Sequence, residues 1–144
     1  MRSMKTDIKE IAIFGLSFSK GFDQVWFNLW LKDDGYSMDF YQFTDDDDEP
    51  LESATMISSE QGEELLLRMF ENGRVEDWKD AYTAADEGVD TDLNWTLDVD
   101  GPNESDLIFS SGNGKLPPRA MTMGVIDAIR KYEPSFALCF DELK

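Results

Sequence analysis

Residues 108–120 read IFSSGNGKLPPRA, and two glycines followed by a lysine, set between an apolar run and a helical pattern, are the materials of a phosphate-binding loop. That loop needs Gly-x-x-x-x-Gly-Lys and then Ser or Thr, because backbone amides wrap the phosphates while the hydroxyl holds the metal. Here Leu116 follows Lys115, and no glycine stands at the upstream end of the motif. Pro117 and Pro118 then delete two amide donors where the ligand would sit. A net charge of −18 repels a polyanion as well. The expectation is a tight strand-to-helix corner in which glycine and asparagine supply positive φ, with no nucleotide and no other cofactor.

Other chemistry is restricted by composition. The chain has no histidine, which removes the usual base near neutral pH, the Ser-His and Cys-His pairs and the commonest zinc ligand. The single cysteine, Cys139, rules out a thiolate zinc site within one chain and an internal disulfide; in the apolar run FALCF it reads as core. Carboxylates remain for a Ca²⁺ or Mg²⁺ site. DVDGPNESD, residues 98–106, begins like a calcium loop, but its glycine comes fourth and no glutamate fills position twelve; DDDDEP has proline where the glycine belongs. A carboxylate-based metal enzyme assembled from distant positions is the alternative to a protein without catalysis.

Charge placement is the most informative feature. Between Lys32 and Arg68 there are twelve acids and no base, and between Lys79 and Lys115 nine acids and no base, so two intervals hold 21 of the 31 acids. Glu60, Glu63 and Glu64 suit the positive end of a helix, and Asp98 and Asp100 suit the wet face of a strand. Solvation explains single acids, but not the withholding of opposite charge over two long stretches; solubility or a salt-adapted proteome is the opposing explanation of the acidity as a whole. The functional expectation is a non-catalytic module that meets a basic protein, with Asp45, Asp46, Asp47, Asp48 and Glu49 as the contact loop. Such a partner includes a nucleic-acid-binding protein whose groove the acids would cover in place of phosphates; direct binding to nucleic acid is not expected. In composition this is similar to immunity proteins and to inhibitors of nucleases. An accessory domain of unspecified role fits the same observations. Trp26 and Trp30 share one side of a strand and are either covered by a second layer or exposed as anchors; large aromatics on open surface are uncommon, which favours cover.

The elements that must position these groups follow from hydrophobic spacing. IKEIAIFGLSF, QVWFNLWLK and YSMDFYQF alternate as three strands of a meander, with Ala12, Phe14, Leu16 and Phe18 on one face of the first, Val25, Phe27, Leu29 and Leu31 on one face of the second, and Met38 and Phe40 together on the third. Lys20 to Asp23 and Asp33 to Gly35 are the turns. After the acidic loop, Ser58 opens a helix with Gln61 placed for a capping box, and Gly73 is set to stop it. A shorter helix is expected at VEDWKDAYTAA, presenting Val75, Trp78 and Tyr82. LNWTLDVD and DLIFSS pair as a hairpin over 93–111, and a last helix runs from Pro118 to Tyr132. The stretch WTLDVDG…DLIFSSGNGKLPPRAMTMGVIDAIRKY, residues 95–132, resembles small uncharacterised bacterial domains with a Trp-bearing strand, a Gly-Asn turn, a proline and a C-terminal helix. The resemblance covers about a quarter of the chain and implies hairpin-helix architecture without a transferable activity.

At 144 residues with 41% hydrophobic side chains, the chain suits one domain, 1–144. The predicted fold is α+β: an N-terminal three-stranded meander and a C-terminal hairpin forming an antiparallel sheet, with two or three helices on one face. No membrane-length apolar segment or leader pattern is present, so a cytoplasmic location is expected and oligomeric state is left open.

Overall fold

The computed structural model describes residues 7–45, 49–104 and 106–144. Its strands are β1 Ile13–Lys20, β2 Asp23–Lys32, β3 Gly35–Phe43, β4 Leu51–Ile57, β5 Ala81–Tyr82, β6 Val89–Asp100 and β7 Asp106–Leu116, and its helices α1 Ser59–Gly73 and α2 Arg119–Arg130. The strands form one sheet in the order β4-β3-β2-β1-β6-β7-β5. All neighbours are antiparallel except β5 and β7, so the sheet is mixed.

The expected antiparallel sheet of a three-stranded meander plus a hairpin is corrected to seven mixed strands: β4 extends the meander, β5 adds a parallel edge, and β1 pairs with β2 on one side and with β6 on the other. The alternation that placed Phe14, Leu16, Phe27, Leu29, Leu97 and Val99 on one side holds, and all six are buried, whereas Leu31, expected on the same face, lies 42% exposed at the end of β2. Both helices lie over that side. Leu65, Leu66, Met69 and Phe70 of α1 and Val125, Ile126 and Ile129 of α2 join the same core cluster, each such side chain contributing about 1.5–3 kcal/mol by burial. The helices meet closely because Gly124 has no side chain, and a Cβ there would lie 2.3 Å from the Asn72 carbonyl oxygen. The Ser58–Gln61 capping box forms as expected. Arg74, not Gly73, takes the left-handed position after the helix, with φ 50°, while Gly73 makes room for Val125.

Three elements differ from expectation: the acidic loop expected over TDDDDEPLES gives way at Leu51 to the edge strand β4, which pairs with β3, and two others follow. VEDWKDAYTAA is a 3-10 turn at Val75–Asp77 followed by β5. A helix of that length is marginal by itself. Aromatic anchoring outweighs it: the Trp78 indole donates to the Gly73 carbonyl at 2.7 Å, and Trp78 and Tyr82 pack against the Trp95 ring. Val75, Trp78 and Tyr82 reach the core without being helical.

The glycine run is also not the corner. β7 continues through it to Leu116, and the chain turns at Pro117 and Pro118. Gly112 leaves space for Trp95, whose indole N–H passes within 2.3 Å of where a Cβ would be and donates to the Lys115 carbonyl at 2.7 Å. Gly114 supplies the positive φ, 83°. Lys115, the lysine of the supposed cradle, is buried with its Nζ 2.8 Å from Asp90 Oδ1.

Candidate interaction face

The sheet has a second face. Ladder register places its residues in rows that cross the strands. One row runs Asp100, Ile13, Trp30, Ser37, Met56; the next Phe109, Asp98, Gly15, Asn28, Asp39, Ala54; the next Ser111, Thr96, Ser17, Trp26, Tyr41, Glu52. None of these belongs to the hydrophobic core cluster, and among the described residues no element packs over them. Trp26 and Trp30 are half-buried, and among the described residues neither helix supplies the covering layer favoured by the sequence.

The aromatic side chains on this face are organised. Trp26 and Tyr41, neighbours on β2 and β3, stack with ring centroids 5.0 Å apart and planes 9° from parallel. Lys32 Nζ sits 5.4 Å from the centre of the Trp30 ring, a cation–π contact at the strand end. Phe109 is 50% exposed, an apolar patch at the β7 end. Around these rings stand Asp39, Glu52, Asp98, Asp100 and Asp106, and the three rows contain no lysine or arginine. Among the described residues no ion pair takes an acid from this face.

Of the predicted contact loop, Asp45 and Glu49 are exposed, and Asp46, Asp47 and Asp48 lie outside the described residues. The Asp45 amide donates to Asp23 Oδ1 at 2.8 Å, which ties the loop to the start of β2, three residues before Trp26. Asp45 and Trp26 therefore share one end of the sheet. Trp30 stands at the other end, in the row of Asp100.

There a carboxylate cluster forms. Asp98 and Asp100 alternate with Leu97 and Val99 on β6, Asp106 begins β7, and one oxygen from each lies within 4.8 Å of the others. Burial first, then a hydrogen bond with Asp106 and the charge of Asp98, push the Asp100 carboxyl up to about 6. Among the described residues, one oxygen of Asp98, one of Asp100 and the Trp30 indole nitrogen are buried without a hydrogen-bond partner. The trio can share a proton, and it offers three hard oxygen ligands to a divalent cation, fewer than the six to eight that calcium takes. It is not the helix-flanked calcium loop that DVDGPNESD suggests, since the segment is a strand, a 3-10 turn and a strand.

Tyr41, Asp39, Phe109 and Asp106 were not singled out from sequence. The alternation in YSMDFYQF puts Asp39 and Tyr41 opposite Met38 and Phe40, so that signal was present; Asp106 joins the cluster only through β6–β7 pairing. No protein-family profile, no curated protein and no solved structure matches the chain. Among the described residues, no helix is long and apolar enough to cross a membrane.

Proposed function

We propose that the chain is a non-catalytic interaction module that binds a basic protein surface on its uncovered sheet face. One observation carries the reading: an exposed β-face on which stacked and half-buried aromatics stand among five acids, with no base in the rows between them. Aromatic rings supply contact area at little entropic cost, and a field of one sign steers a cationic partner and rejects anionic ones. Trp26 and Tyr41 act as anchors, Trp30 as a second, and Asp45, tied to Asp23, extends the acidic field from the Trp26 end. A role of the immunity or nuclease-inhibitor kind, covering a basic groove, follows from the same chemistry.

The test is tryptophan emission during titration with poly-L-lysine and, as control, poly-L-glutamate. Trp78 and Trp95 are buried, so a response comes from the open face, and Trp26→Phe and Trp30→Phe assign it. A saturable change with polylysine that weakens with salt and falls at least fivefold in affinity in Asp39→Lys/Glu52→Lys is expected. Reversing Asp45, Asp46, Asp47 and Asp48 to lysine is expected to weaken binding and flatten its salt dependence; unchanged binding removes the loop from the account. A protein indifferent to polylysine at low salt sinks the reading.

The convergence of Asp98, Asp100 and Asp106 favours a second reading, a divalent cation held at the β6–β7 end and used in a carboxylate-metal reaction. A saturable rise of the melting midpoint with Mg²⁺ or Ca²⁺, abolished by Asp98→Asn, supports it; a midpoint that follows ionic strength alone refutes it.

A further inference from the structure

The two edges of the sheet are unequal. At one, β5 is only two residues long. At the other, β4 runs seven residues, and all of them up to Met56 are exposed. An edge strand offers a row of backbone donors and acceptors to any extended chain, and proteins usually blunt such edges with lysine, internal proline or a bulge. β4 has none of these: Pro50 precedes it, Glu52 is its single charge, and its register with β3 runs unbroken from Tyr36–Ile57 to Gln42–Leu51. Leu51 and Met56, 60% and 55% exposed, stand on opposite faces at its two ends.

Beside the start of this edge, on the helix side, lies a cleft of about 220 Å³. Val25, Phe40 and Phe136 give it an apolar lining, and Glu133 is among the residues around it, while the ladder register puts Glu52 on the other face. Ser135 Oγ donates to Glu133 Oε1 at 2.7 Å, which fixes that carboxylate near the cleft. An apolar pocket with a carboxylate beside it matches a side chain with an aliphatic stem and a cationic head.

We propose that β4 accepts an extended, lysine- or arginine-bearing segment of the partner as an eighth strand, with one long cationic side chain seated in the cleft. Strand addition takes its affinity from main-chain hydrogen bonds and its selectivity from pockets for alternate side chains, and both are present here. Charge chooses the occupant. Pairing with a second copy about a two-fold at Ala54 would set Glu52 opposite Met56 without a clash in the ladder, but would bring together two chains of net charge −18 with Asp45 and Glu49 flanking the contact. A cationic strand meets the same field as attraction. The inference rests on the reading that the partner is basic.

The experiment uses the full chain and three acetylated heptapeptides: one alternating lysine with valine, the same peptide N-methylated at alternate amides, and its glutamate counterpart. Amide hydrogen exchange of residues 51–57 and tryptophan emission are read together. The lysine peptide is expected to slow exchange in β4 at least tenfold, N-methylation to weaken binding at least tenfold, and the glutamate peptide not to bind. Ser53→Lys, on the exposed edge beside the cleft, is expected to weaken the lysine peptide tenfold without moving the melting midpoint. Equal binding of the methylated and unmethylated peptides, with altered tryptophan emission and unchanged exchange at 51–57, overturns strand addition while leaving the basic-partner reading standing. Binding of neither cationic peptide overturns both. Protection of 51–57 that grows with protein concentration and accompanies a doubled mass gives the edge to a second copy and overturns the proposal.

Discussion

At the scale of single residues, Asp100 and Gly112 carry the sharpest consequences. Asp100 is held up to about 6 in the folded chain against an ordinary 3.8, so between those values the folded state binds a proton that the unfolded state has released. Stability therefore falls as pH rises from about 4 through 6 and levels off above, the reverse of the usual salt-bridged aspartate. The full difference corresponds to about 3 kcal/mol; because the side chain is partly exposed, solvent screening reduces it to about 1 kcal/mol. Asp100→Asn is expected to recover that amount at pH 7 and nothing at pH 4, as measured by urea unfolding at both values. The chain has no histidine, but its other carboxylates ionise in the lower part of this window, so the effect is read as the difference between Asp100→Asn and the unsubstituted chain at each pH. Gly112 answers to packing instead. A methyl group there collides with the Trp95 indole nitrogen and the Lys115 carbonyl, and Gly112→Ala is expected to cost about 2–3 kcal/mol in the same assay.

At the scale of elements, what was readable depended on whether an element had a dry side and a wet side. β1, β2, β3 and β6 each bury one face, and their alternation in sequence marked that face, while the β1–β6 pairing had no local signal. α1 announced itself through Ser58 and Gln61; Ser58→Ala, which removes that cap, is expected to cost about 1 kcal/mol. β4 carried no such signal. LESATMI is wet on both sides, so it has no period, and it extends the sheet only because β3 offers it a ladder. Val75 to Tyr82 was misread for the opposite reason: its apolar spacing suits a helix, but the partners are rings of Trp78, Tyr82 and Trp95, which appear only once β6 is in place. The candidate face divides the same way. Trp26 and Trp30 were legible as a pair from spacing, whereas the approach of Asp106 to Asp98 and Asp100 depends on a ladder that shifts register near Asp100. With only one ladder to hold it, β4 is expected to exchange its amide hydrogens at least a hundredfold faster than β1, which is flanked on both sides.

For the molecule as a whole, the balance of 31 acids against 13 bases sets the response to solvent. The ion pairs among the described residues join local or exposed partners for the most part, such as Arg68 with Glu64 and Lys144 with Asp141, and leave the sheet face unneutralised. Self-repulsion is therefore screened rather than relieved by added electrolyte, and the melting midpoint is expected to rise by several degrees between 10 mM and about 0.5 M NaCl, with a fall refuting the view that repulsion dominates. Connectivity has its own outcome. The central seam of the sheet joins β1, near the beginning of the chain, to β6, which follows only after four further strands and a helix. During synthesis the first four strands leave the ribosome with one rim of β1 still bare, and closure waits for residues 89–100. Until then Phe14, Leu16 and Phe18 lie beside an incomplete ladder. Losses to inclusion bodies on rapid expression are thus expected to reflect that delay and to ease when translation is slowed by cooling.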